Sequence, residues 1–447
     1  MLIRFVVSNF MSFKEETEFN MLPSKGKGYK KHPNHLKSTN SGIDVLKTAA
    51  VYGANASGKS NLIKAIGYLK DLILDDNEGL VMPQSKRFRL DDSYKSKSTT
   101  FRIEYEFRNI HFDYGLEVDK GIIKEEWLYI VESVKKQKEN LLFSRKNNLV
   151  VFGEHFSKID TSYVEKYLSK ELKTTQCAIN AIYDNIDDDE LIDTFYEGIG
   201  RLTIVNPQSF NSEYAFSIIS EEKSKSYVEE ILGKSNTGIE ELVVEDISAD
   251  KFFSYEEEDV KLDFIDKIEN QIDKLKENER CGVFFYNRNQ YNLFKKVDDK
   301  YFVSVIKTKH SKSNNLFDLI EESDGTNRLF ELAPAFEDLT GEEELVYIVD
   351  ELERSMHPIL AKELLKLYVE NSASKSQLIF TTHESHLLDL ELLRQDEIWF
   401  AEKKLDGSSI FYPLSDFNPR EDKNIRLGYL EGRYGGIPFL GDFSKLN

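Results

Sequence analysis

Cysteine is nearly absent: Cys177 and Cys281 are the two in 447 residues. They form no pairing pattern, and no zinc-type spacing exists, so the sequence suits a reducing cytosol. Long apolar runs are missing too. None is long enough to span a bilayer, and residues 1–7 lack the apolar stretch of a signal peptide. The expectation is a soluble, cytoplasmic chain with no membrane association. The third shortage is positive charge. Lys and Arg total 59 against 79 Asp and Glu, a net charge of -20. Affinity for a phosphodiester backbone comes largely from lysine and arginine, so this balance excludes a general nucleic-acid coat but not one local basic groove. What is present is a hydrophobic fraction of 40%, enough for a real core. The length suits two or three domains, or one large domain with an insertion.

One stretch organises the rest. Gly53-Ala54-Asn55-Ala56-Ser57-Gly58-Lys59-Ser60 matches the phosphate-binding loop G-x-x-x-x-G-K-[ST] in full. Ala49 to Tyr52 reads as a short buried strand before it, and Asn61 to Ile66 opens a helix with apolar residues at helical spacing. Glycines at both ends let backbone N–H groups turn inward around a phosphate, and the helix dipole adds to the attraction. The candidate nucleotide-binding residues are Gly53, Asn55, Ala56, Ser57, Gly58, Lys59, Ser60 and Asn61. Lys59 would reach the β- and γ-phosphates, and Ser60 would ligate Mg²⁺.

Around this loop the chain changes character. Residues 2–7 and 16–22 predict a strand pair, and Lys25 to Pro33 is a basic loop. Residues 101–107, 111–118 and 126–131 alternate apolar and polar, predicting an antiparallel meander. From about 155 to 280 the pattern turns helical and acidic. Asp187-Asp188-Asp189-Glu190 lacks the glycine and terminal glutamate of a calcium loop and reads as a solvated helix face. Phe264, Ile268, Ile272 and Leu275 form an amphipathic stripe. Strands are expected again near 239–245, 283–286 and 301–307.

Leu345-Val346-Tyr347-Ile348-Val349-Asp350-Glu351 is a buried-strand run ending in two acids. Alone it is commonplace. Beside a phosphate loop it gains meaning: Asp350 would hold Mg²⁺ opposite Ser60, and Glu351 would orient and polarise the attacking water. A second buried strand, residues 377–382, ends at His383, whose neutral imidazole could hydrogen-bond near the γ-phosphate. His383 and His386 have no further ligands around them, which rejects zinc. Glu322-Ser323-Asp324-Gly325-Thr326 reads as a capped helix N-terminus.

The order phosphate loop, insertion, capped helix, Asp-Glu strand, histidine strand resembles that of ABC ATPases of the RecF/SMC class. A closer resemblance is to the AAA/ABC-hybrid ATPases of bacterial abortive-infection and anti-phage loci, the group that includes RloA, AbiL-type and AriA-like proteins and, more distantly, PtuA and the OLD nucleases. It rests on Asn9-Phe10-x-Ser12-Phe13, the phosphate loop, and Glu322 to Thr326. Asp350-Glu351-Leu352-Glu353-Arg354-Ser355-Met356-His357-Pro358, Thr382-His383 and the tail Tyr429 to Pro438 complete it.

The resemblance implies an α/β fold: an ABC-type P-loop ATPase head with an antiparallel β lobe and a helical insertion. The implied division is 1–154 for an N-terminal lobe, 155–280 for the insertion and 281–447 for a C-terminal lobe. It implies ATP and Mg²⁺ as cofactors and a homodimer or larger homo-oligomer with ATP sandwiched between subunits. Lys59 and Ser60 would come from one subunit, and Ser323, Gly325 and Thr326 from the other. By the same resemblance Glu351 is the catalytic base and His383 the switch histidine. Gln84 is the candidate for the glutamine loop, and Glu353-Arg354-Ser355 departs from the transporter pattern. The function implied is an ATPase sensor or switch of anti-phage defence that controls a separate effector from the same locus, a nuclease or toxin, in response to a nucleic-acid or phage-protein trigger. An OLD-like nuclease and a RecF/SMC-like DNA repair ATPase remain open alternatives. For the nuclease, Asp396-Glu397-Ile398-Trp399-Phe400-Ala401-Glu402 loosely resembles a strand ending in glutamate, but residues 398–412 also read as a hairpin around Leu405 to Ser408.

Overall fold

The computed structural model describes residues 1–24, 32–74, 84–147, 149–158, 164–165, 168, 170, 172–186, 189–207, 212–254, 264–265, 267–268, 282–287, 290–297, 300–420 and 424–438. Of the expected features, the basic stretch through Lys31, Cys281, Asp187, Asp188, Ile272 and Leu275 lie outside these residues. The chain divides into two compact units. The first comprises Met1–Pro207, Leu339–Glu353 and Lys362–Asn447, and the second Gln208–Asp338 and Arg354–Ala361.

Two sheets build the first unit. Alternation of apolar and polar residues produces a seven-stranded antiparallel sheet in the order Leu149–Phe152, Lys138–Lys146, Ile122–Ser133, Ile110–Asp119, Thr99–Phe107, Leu2–Ser8, Thr17–Asn20. The expected three-strand meander is therefore longer, and the N-terminal strand pair completes it through pairing of Leu2–Ser8 with Thr99–Phe107. One face carries Phe5, Phe19, Ile103, Tyr105, Phe112, Tyr114 and Phe143, all essentially inaccessible. They pack with Leu62, Ile63, Ile66, Leu69 and Ile73 of helix Lys59–Leu74 in one continuous core. Each such side chain contributes about 1.5–3 kcal/mol by leaving water.

The second sheet runs Leu202–Val205, Val346–Val349, Gln377–Thr382, Thr48–Gly53, Ile398–Lys403, Ser409–Pro413. Its first five strands are parallel, and the last forms the expected hairpin with its neighbour. Strands Thr48–Gly53, Val346–Val349 and Gln377–Thr382 are buried at every residue, and Ile398–Lys403 over its first four, as strands covered on both faces are. No helix among the described residues is long and apolar enough to cross a membrane.

The second unit holds a separate antiparallel sheet, Ile239–Ser248, Lys300–His310, Gln290–Val297 and Val283–Asn287, with Leu316–Asp318 paired to Lys300–His310. Phe252, Phe253, Phe294, Val303 and Val305 form its own core, with Phe264 and Ile268 of the amphipathic stripe packed into it.

One expectation is corrected. Residues 155–280 are not a single helical insertion. Helices Ala178–Asn185 and Glu190–Gly200 lie in the first unit, and Leu202–Val205 is a strand of the parallel sheet, hydrogen-bonded to Val346–Val349. The second unit begins only at Gln208 and extends to Asp338, past the expected boundary at 280. Composition marked where acidic helices occur. It could not report a four-residue strand whose partner is more than a hundred residues away. In the acidic run, Asp189 is buried and caps helix Glu190–Gly200, accepting N–H bonds from Leu191 and Ile192.

Candidate functional site

Register decides where the site lies. Val51 pairs with Thr381, Val349 with Phe380 and Val205 with Val349, so Gly53, His383, Asp350 and Asn206 all leave the parallel strands at one edge. That carboxyl edge is where open α/β sheets bind ligands.

The phosphate loop is shaped by close contacts. Gly58 has φ +113°, and a Cβ there would lie 2.2 Å from Ser409 Oγ. A Cβ on Gly53 would lie 2.4 Å from the Ala401 carbonyl oxygen. Both positions therefore demand glycine. Ala56 takes φ +62°, which turns the loop backbone inward. Lys59 opens the following helix with its side chain 5% exposed. Its ammonium donates to the carbonyls of Gly53 at 2.8 Å and Ala54 at 3.2 Å. Asn61 donates to Ser12 Oγ at 2.8 Å, which ties the N-terminal Asn9–Phe13 turn to the loop. Ser57 Oγ is buried and has no hydrogen-bond partner among the described residues. Inward-turned backbone, a buried ammonium and a helix N-terminus fit a triphosphate.

Burial lowers the Lys59 pKa to about 8, against the upward pull of Asp350, Glu351 and Glu353. Bound phosphates would raise it again. At pH 8 roughly half of the free protein carries this amine uncharged, so ATP binding there takes up about half a proton, whereas at pH 6.5 it takes up almost none through this group. Titration calorimetry in buffers of different ionisation enthalpy measures the difference. Equal proton uptake at both pH values would contradict the assignment.

Asp350 is buried and accepts a hydrogen bond from Thr381 Oγ1. Its own N–H donates to Val205 O at 2.9 Å. Glu351 sits at φ +51°, a left-handed conformation that costs a side-chain-bearing residue roughly 1–2 kcal/mol. Its N–H donates to Thr381 Oγ1 at 2.8 Å, and the next N–H, of Leu352, to Thr381 O at 3.1 Å. Glu353 Oε1 accepts the His383 N–H at 2.7 Å, while its Oε2 is buried without a hydrogen-bond partner among the described residues. Desolvation of the ring, then the Lys59 ammonium, lower the His383 pKa, although Glu353, Glu351 and Asp350 pull it upward. The imidazole is therefore mostly neutral near pH 7, in a state that can either accept or donate a hydrogen bond.

The first unit thus brings Lys59, Asp350, Glu351 and His383 together in one electrostatic neighbourhood. Ser60 lies in the first turn of the same helix as Lys59; its hydroxyl and the Asp350 carboxylate are oxygen ligands of the kind that would hold Mg²⁺. Two contacts were not visible in the sequence. Thr381 bears no motif of its own, Glu353 stands in the Asp350–Pro358 run with no role assigned to it, and strand pairing sets them against the acids and the histidine.

Ser323, Gly325 and Thr326 belong to the second unit. Ser323 Oγ accepts the Thr326 N–H at 3.1 Å and caps helix Asp324–Thr340, as the sequence indicated. A Cβ on Gly325 would lie 2.7 Å from the Ser355 carbonyl, so this turn also demands glycine. Glu322 is held by Thr308 Oγ1 and, at 2.8 Å, by His310 Nε2.

Gln84 falls in a single turn, Gln84–Lys86, well before the acidic strand. Across Val346–Val349 from Gln377–Thr382 lies Leu202–Val205, which exits through Asn206 and Pro207. The acids considered for a nuclease are internally committed. Asp396 pairs with Arg394, Glu402 accepts from Tyr412, and fully buried Glu397 contacts His35 Nδ1 at 2.8 Å. Among the described residues no group of three or more His, Cys, Asp or Glu side chains could hold a metal ion.

Comparison with known proteins adds the family. The family model described as "AAA domain, putative AbiEii toxin, Type IV TA system" matches residues 49–153 and 209–389. Comparison with curated proteins returned no match. Among solved structures, an SMC head bound to the C-terminal winged-helix domain of ScpA is 13% identical, with a TM-score of 0.40, covering 92% of this chain and 97% of that one. The SMC head domain from Thermotoga maritima is also 13% identical, with a TM-score of 0.39, covering 92% of this chain and 98% of that one. With its phosphate loop, acidic strand and histidine strand all inside the matched segments, the chain belongs to this AAA-domain family.

Proposed function

We propose that the protein is an ATP-binding and ATP-hydrolysing switch of a bacterial anti-phage defence system. The observation that carries the ATPase reading is the convergence of Lys59, Asp350, Glu351 and His383 at one edge of one parallel sheet. In this reading the Gly53–Ser60 backbone and Lys59 bind the β- and γ-phosphates, and Ser60 and Asp350 hold Mg²⁺. The ion supplies neutralisation of phosphate charge when bound. Glu351 takes the proton of a water that attacks the γ-phosphorus as the bond to the bridging oxygen breaks. Neutral His383 hydrogen-bonds the γ-phosphate.

The capped helix N-terminus at Ser323, Gly325 and Thr326 serves the γ-phosphate held by a second copy, so ATP closes a homodimer or larger assembly in an ABC-type manner. Gln84 stays the candidate glutamine of the site, and Gln84→Ala should lower ATP turnover about tenfold or more. Turnover within about twofold of wild type would remove it from the site.

The defence role is supported by the toxin-type family description and by the resemblance carried in the motifs. The assembly works in the cytoplasm and restrains or releases a separate effector, a nuclease or toxin, when a phage-derived trigger arrives. The test is phage challenge of cells carrying the intact locus with wild-type, Lys59→Ala or Glu351→Gln protein. Protection should require both residues, and undiminished immunity in the variants would remove nucleotide chemistry from the defence role.

A further inference from the structure

We infer that Thr381 is a positioning residue for hydrolysis: its single hydroxyl sets both the Mg²⁺-side carboxylate of Asp350 and the backbone that aims Glu351. This deepens the ATPase reading above and rests on it. A threonine hydroxyl has one proton and two lone pairs. Here the proton is given to Asp350 Oδ1, and a lone pair receives the Glu351 N–H at 2.8 Å. The Thr381 carbonyl receives the next N–H, from Leu352, at 3.1 Å. Three consecutive residues are thus tied to one residue of the adjacent strand.

The tie has a purpose in geometry. Glu351 lies at φ +51°, a conformation that a glutamate holds only when its surroundings over-determine it. Without an acceptor for its N–H, the backbone would relax toward the right-handed or extended regions, and the carboxylate would swing away from the water it must deprotonate. The same hydroxyl occupies one oxygen of Asp350, which fixes the orientation in which the carboxylate can face a cation. Thr381 is 1% exposed and therefore touches no substrate. Its strand also delivers His383 two residues later, and the His383 N–H is anchored to Glu353, two residues beyond Glu351. Histidine strand and acidic strand are cross-tied at both points, so displacement of one would be felt by the other.

The test compares Thr381→Val, which keeps shape and loses the hydroxyl, with Thr381→Ser, which keeps the hydroxyl. In nucleotide-free protein, hydrogen exchange at the Glu351 amide, whose acceptor is the hydroxyl, should speed up about tenfold or more in the valine variant and stay near wild type in the serine variant. Affinity for a non-hydrolysable ATP analogue should be unchanged without Mg²⁺, and the gain on adding Mg²⁺ should shrink about tenfold in Thr381→Val. Its kcat should fall about 10- to 100-fold with KM within threefold, and Thr381→Ser should restore both. If valine does not fold, Thr381→Ala carries the same expectations. Wild-type exchange and Mg²⁺ response in a folded hydroxyl-free variant would overturn the inference, as would a serine variant as impaired as valine. Failure of the ATPase reading looks different: wild-type protein would neither bind nor hydrolyse ATP, while the exchange measurement would still report the tie.

Discussion

Glu351→Gln protein should bind ATP as well as the wild type and turn it over at least roughly 100-fold more slowly, the loss expected when a general base is removed. The amide has the volume of the carboxylate, and the backbone N–H that ties residue 351 to Thr381 is unchanged, so the left-handed turn at φ +51° survives the substitution. Binding survives because the loop backbone and Lys59 are untouched. What disappears is the proton acceptor. With hydrolysis blocked, ATP and Mg²⁺ should drive the variant into a stable dimer or larger assembly on gel filtration. Turnover within threefold of wild type would reassign the base. An unchanged monomer with ATP bound would end the sandwich proposal while leaving the cis site intact.

The second large effect is on binding. Lys59→Ala should weaken ATP affinity by about 100-fold or more and abolish hydrolysis, because a buried ammonium facing phosphates is among the stronger charge-assisted contacts available. Stability of the free protein should move little. The Lys59 pKa is pulled down to about 8 by burial, so the folded state holds this charge at a cost, and its removal relieves that cost while uncovering the Gly53 and Ala54 carbonyls. Thermal unfolding separates the two outcomes. In the wild type, ATP at about 100 times its dissociation constant adds about 2.7 kcal/mol of stability. In the variant at the same concentration the increment should nearly vanish, while the melting temperature without ATP stays close to the parent's. A variant that retains the ATP-induced rise would show that the loop binds through its backbone alone.

Much of this site was legible before folding. Gly53 to Ser60 had to be a strand–loop–helix turn, since the glycines and apolar flanks leave few other solutions, and Ser323 had to cap a helix. The paired acids at 350 and 351, the histidine after a buried strand and the hairpin at 398–412 were equally plain. These are features of adjacent residues, and local sterics and capping hydrogen bonds fix them whatever the rest of the chain does. The division of the chain was not legible. Leu202-Thr203-Ile204-Val205 is too short to carry a period, and its place beside Val346–Val349 depends on a partner far away in sequence.

The same contrast runs through the chemistry. Sequence alone determined which groups could handle a triphosphate: Lys59 and Ser60 on the loop, Asp350 and Glu351 on one strand, His383 on another. Tertiary structure alone decided how they are held. Thr381 became the support of both acids because parallel pairing laid Gln377–Thr382 against Val346–Val349. Glu353 became the anchor of His383 for the same reason. Likewise the carboxylates of Asp396, Glu397 and Glu402, in a run that loosely resembles a strand ending in glutamate, were each taken up by internal partners. A hydrogen bond between strands depends on register, and register is set by the burial of whole strands, which no short window of sequence contains.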